Sequence, residues 1–97
     1  MPTYISLVNF TDQGIRNFKD TPKRAQAFKD LVEQMGGKLI GLYYTMGAYD
    51  AVAITESLDD ETATAAALKV SSLGNVRTTT RRGFDQEERE KIIQKAD

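Results

Sequence analysis

Two strand-like runs, KLIGLYYT (residues 38–45) and YDAVAIT (49–55), stand in the middle of the chain with only Met46-Gly47-Ala48 between them. A loop that short, with glycine in it, joins antiparallel neighbours. A helical pattern lies on each side of this hairpin. Upstream, Thr21 reads as an N-cap with Pro22 at the first helical position. Ala25, Phe28, Val32 and Met35 then recur at three- and four-residue steps until Gly36-Gly37 stops them. Downstream, Asp59 reads as an N-cap with Asp60 and Glu61 in the first turn, and Ala63, Ala66, Ala67, Val70 and Leu73 mark a face that ends at Gly74. The alanines predict a helix lying close to a sheet.

The outer runs, YISLVNF (4–10) and VRTTTRR (76–82), are β-branched and read as strands, and TDQGIRNFKD reads as a turn. The order is therefore β-α-β-β-α-β, the split βαβ pattern of ferredoxin-like α+β folds. It predicts a four-stranded antiparallel sheet with two helices on one face. Asp85 with Glu88 forms a capping box for a short C-terminal helix, QEEREKIIQKA, so residues 85–97 are the helix and tail of a single domain spanning 1–97. At 97 residues the chain builds one core.

Counting by twos along the strands separates two faces. Ile5, Leu7, Ile40, Leu42, Val52 and Ile54 are uniformly aliphatic and are assigned to the face under the helices. The opposite set, Tyr4, Val8, Phe10, Tyr43, Tyr49, Ala51 and Ala53 beside Ser6, Thr45 and Thr55, is too apolar to leave in water. Self-association through Tyr4, Val8, Ala51 and Ala53, as a homodimer or higher homo-oligomer, is the expectation. The alternative is that the C-terminal helix folds back over this face with Ile92 and Ile93.

With 13 basic and 14 acidic residues, no global field draws the chain to nucleic acid or to an anionic membrane. The chain holds no cysteine and no histidine, which removes thiolate and imidazole metal sites, disulfides and thiol nucleophiles. No metal and no cofactor are expected. No run approaches ~18 apolar residues, and the N-terminus lacks a signal-peptide pattern, so a cytoplasmic protein without a membrane partner is expected.

Thr11-Asp12-Gln13-Gly14-Ile15, Pro22-Lys23-Arg24-Ala25, Gly47-x-Tyr49-Asp50, Asp59-Asp60-Glu61-Thr62 and Gly74-Asn75-Val76-Arg77-Thr78 follow one another without a large insertion. In these motifs the chain resembles the GYD domain family of small bacterial proteins. The resemblance implies a ferredoxin-like fold of the dimeric α/β-barrel superfamily and carries no activity with it. The half from Lys38 to Arg82 is also similar to the ligand-binding module of leucine-responsive regulators. Such modules pair by their sheets and bind small effectors at subunit contacts.

Several residues are candidates for chemistry. Tyr43, Tyr49 and Asp50 could grip a polar planar ligand near the sheet face and the glycine turn. Asp50 could equally fix the hairpin by accepting backbone N–H bonds. Lys23 and Arg24 in a first helical turn allow anion binding. Arg77, Arg81 and Arg82 on an edge strand could hold phosphate, although edge-strand charges more often block aggregation. The reading is an oligomeric small-molecule-binding or regulatory module. The alternative is a cofactor-independent enzyme using Asp50 or Tyr49, and a nucleic-acid binder ranks third.

Overall fold

Strand β1 (Thr3–Phe10) leads through α1 (Asp12–Arg16) and a 3-10 turn (Phe18–Asp20) into α2 (Thr21–Gln34). The hairpin strands β2 (Lys38–Tyr44) and β3 (Ala51–Glu56) follow, then α3 (Asp60–Ser72), β4 (Val76–Gly83) and α4 (Gln86–Ala96). The computed structural model describes all of residues 1–97. All neighbouring strands are antiparallel in the order β2-β3-β1-β4. The predicted ferredoxin-like architecture is therefore what forms. No helix is long and apolar enough to cross a membrane.

The caps behave largely as their residue types require. Asp59 accepts the Thr62 N–H at 2.8 Å, and Asp85 and Glu88 complete a reciprocal capping box on α4. Two details differ. The segment read as a turn contains α1, capped by Thr11, whose hydroxyl accepts the Gly14 N–H at 3.1 Å. Thr21 lies inside α2 rather than capping it, and its hydroxyl donates back to the Phe18 carbonyl.

On β1 and β3 the two faces of the sheet are the reverse of the expected assignment, whereas Leu42 and Tyr43 on β2 lie on the faces expected of them. Tyr4, Ala51, Ala53 and Thr55 are buried beneath α2 and α3, at 2 to 6% exposure. Residues opposite one another on neighbouring strands share a face. Ile5 pairs with Ile54 and Leu7 with Val52, so these four aliphatic residues lie on the open side. Val8 and Phe10 also face the helices. The cause is the chirality of the connections. β1-α2-β2 and β3-α3-β4 each join parallel strands that flank a third, and right-handed crossovers put both helices on the face where the small residues stand. Strand alternation records that two faces exist and not which one the helices take.

A bulge between Leu39 and Gly41 breaks the alternation in β2. Leu42, paired with Ala53, thus faces the helices, while Tyr43, paired with Val52, faces outward, and Ile40 is the extra residue, 48% exposed. Helix α4 covers neither face. It buries no residue, and Ile92 and Ile93 are 44% and 67% exposed, so the fold-back alternative is not realised.

Candidate functional site

Asp50 closes the β2–β3 turn against the end of β1. Its carboxylate Oδ2 accepts the Phe10 N–H at 2.8 Å, its own N–H donates to the Val8 carbonyl at 2.8 Å, and its carbonyl accepts the Thr45 N–H at 3.0 Å. Tyr49 falls in the turn rather than in a strand, and the Thr45 hydroxyl donates to its backbone carbonyl at 2.6 Å. Gly47, at φ +100°, supplies the left-handed residue that this turn needs. Tyr43 lies outward on β2, 59% exposed, with its ring across Gly41, where a β-carbon would meet it at 2.9 Å.

Arg24 stands on the other side of the sheet. Its guanidinium donates to the carbonyls of Gly14 and Asn17, each at 3.1 Å, and to the Thr21 hydroxyl at 3.2 Å, and it lies 5.9 Å over the Phe10 ring. Phe10 therefore joins the two predicted loci, with its N–H on Asp50 and its ring under Arg24. Within one chain Tyr43, Tyr49, Asp50 and Arg24 do not converge on a single pocket.

The three arginines of β4 also part company. Arg77 pairs with Asn9 and Arg81 with Ile5, which places both on the open face. Arg82 pairs with Tyr4 on the helix side and is bound to Glu88 Oε2 at 2.5 Å. A three-arginine phosphate grip is not assembled. The hydrogen bond from Arg82, followed by the Asp85 N–H, holds the Glu88 carboxyl below its usual range.

Sequence reasoning missed a polar contact at the start of α3. The Tyr4 hydroxyl donates to Asp60 Oδ1 at 2.5 Å, across 56 residues of chain, with Arg82 5.9 Å over the Tyr4 ring. No local signal announces this pair, because strand register creates it. Burial first, and the Asp60 carboxylate second, push the Tyr4 phenol up to about 12. The folded state thus keeps a proton that an unfolded tyrosine releases near pH ~10. Stability should fall between about pH 10 and 12 with a slope of at most ~1.4 kcal/mol per pH unit. Urea unfolding of wild type and Tyr4→Phe across that range checks this, since the variant should lose that part of the slope. Equal slopes would show that Tyr4 titrates alike in both states.

The family model for the GYD domain matches residues 4–93. This chain belongs to the GYD domain family. In this GYD domain the signature Gly47-x-Tyr49-Asp50 forms the hairpin corner described above. The chain is 33% identical over 81 residues to a Thermus thermophilus protein named glutamine synthetase and cystathionine beta-lyase binding protein, covering 82% of this chain and 85% of that one. A solved structure of a protein from Thermus thermophilus superposes with a TM-score of 0.56 at 24% identity, covering 88% of this chain and 95% of the other. The leucine response regulatory protein of Mycobacterium tuberculosis gives 0.66 at 14% identity, and that organism's feast or famine regulatory protein, complexed with L-methionine, gives 0.68 at 13%. These cover 88% and 89% of the GYD domain, which spans about half the length of either regulator, at 51% and 52%. At such identities the likeness is one of fold.

Proposed function

We propose that this GYD domain is a regulatory binding module that assembles with itself through the open face of its sheet and engages a protein partner. The carrying observation is that face. Ile5, Leu7, Val52 and Ile54 form an aliphatic centre without a helix over it, with Tyr43 on β2 to one side and Arg77 and Arg81 on β4 to the other. An exposed apolar patch rimmed by polar residues is the usual mark of an interaction surface. A second copy suits it, because two sheets pack face to face when their inner side chains interdigitate. The name of the Thermus relative says that it binds two metabolic enzymes, which supports a protein partner of that class here. The engagement of Asp50 with the Phe10 N–H favours binding over the cofactor-independent enzyme, since that carboxylate already anchors backbone.

Sedimentation of wild type beside Ile54→Lys tests the assembly. Wild type should exceed monomer mass at micromolar concentration, because a standard interface buries roughly 800 Å² per partner. Ile54→Lys should be a folded monomer, since its charge would stand unpaired at a dry contact. Monomeric wild type, or an Ile54→Lys assembly of wild-type mass, would overturn the reading. Arginine at Ala51 or Ala53 would be no test of assembly, because both residues lie beneath the helices and the change would damage the fold itself.

A further inference from the structure

Helices α2 and α3 cover one face of the sheet without closing on it. Over the middle of that face the side chains are small, Ala51 and Ala53 on β3 opposite Ala63, Ala66 and Ala67 on α3, and a cavity of about 450 Å³ remains. Phe10, Phe28, Leu31 and Leu42 reach its wall and stay only partly buried. The cavity's volume falls within the roughly 300–1,000 Å³ of small-molecule sites, which combine an apolar wall with a few placed polar groups.

The charge on the wall indicates what such a molecule must carry. Arg24 is half-buried there, and every group it touches is neutral: two carbonyls, a hydroxyl and the Phe10 ring. The only ion pair in the molecule is Arg82–Glu88, so Arg24 has no counterion. A guanidinium has five N–H groups, of which these bonds use three. Asp30 and Lys69 also line the cavity and offset one another in charge, so with Arg24 the wall is net positive.

We propose that the cavity between the helices and the sheet binds a small amphipathic monocarboxylate. Its apolar body lies against the alanines and its carboxylate takes the uncommitted N–H groups of Arg24. A wall with one net positive charge beside an apolar hollow fits a single carboxylate better than a polyphosphate, which needs several donors. The site lies on the opposite side of the sheet from the self-association face, so each can fail without the other.

The probes are octanoate and dodecanoate below their micelle concentrations, with octanol as the uncharged control, titrated by calorimetry into the full chain. Wild type should bind a carboxylate saturably and more tightly than octanol. Arg24→Gln should weaken carboxylate binding about tenfold or more while leaving octanol unchanged, and Arg24→Lys should restore much of the preference. Ala66→Leu should abolish binding of all three while preserving the melting temperature. If that variant does not fold, Ala63→Leu at the same wall serves. Isotope-filtered NMR should connect probe methylenes to the methyls of Ala53 and Ala66. No saturable binding to wild type, an Arg24→Gln variant that keeps its preference for carboxylate, or cavity NOEs to Ile92 or Ile93 of a second copy would each overturn the proposal.

Discussion

Gly14→Ala is expected to lower the unfolding free energy by about 3 kcal/mol or more, the largest effect of any single methyl in the domain. Gly14 is buried in α1, and a β-carbon there would lie 1.9 Å from the Asn75 carbonyl oxygen and 2.9 Å from its carbon. Both are backbone atoms, so relief means moving the α3–β4 loop. The residues around Gly14 also hold that loop by hydrogen bonds. The Thr11 N–H donates to the Asn75 carbonyl at 3.0 Å, the Thr11 hydroxyl to the Gly74 carbonyl at 2.5 Å, and the Gln13 amide to Asn75 Oδ1 at 3.0 Å. Helix propensity alone would favour alanine by up to ~1 kcal/mol, so the sign of the effect separates contact from propensity. Urea unfolding checks it, and a variant as stable as wild type would mean that the two motifs, Thr11-Asp12-Gln13-Gly14 and Gly74-Asn75, are not a structural clasp.

Asp50→Ala should cost about 2 kcal/mol, because it strands the half-buried Phe10 N–H without its acceptor. Asp50→Asn should cost about 1 kcal/mol, since the amide oxygen can still accept, at reduced strength. Tyr49→Phe should leave stability unchanged, because Tyr49 accepts the Thr45 hydroxyl through its backbone carbonyl, which the substitution keeps. Denaturant midpoints of the three variants order these effects directly. If Asp50→Ala unfolds at the wild-type midpoint, the carboxylate is no anchor and its place beside Tyr49 must be explained by a ligand.

Element order, the hairpin and the caps of α3 and α4 were legible in the sequence because each rests on residues close in the chain. Asp59 needs only the N–H three residues on, and the β2–β3 turn needs only Gly47 and two flanking strands. The resemblance to the GYD domain family was legible for the same reason, since short motifs in order carry it. Alternation also separated two apolar faces, and there local information ended. Which face receives the helices depends on the handedness of two crossovers, and the bulge at Ile40 exchanged Leu42 and Tyr43 between faces without any local mark. The Tyr4–Asp60 hydrogen bond, the Arg24–Phe10–Asp50 succession and the cavity above Ala53 join residues that only strand register and helix placement bring together. The sequence alone determined the elements and their order, because short-range hydrogen bonding and hydrophobic period specify those. Tertiary structure alone decided which side chains meet, because a contact between distant residues depends on how whole elements pack.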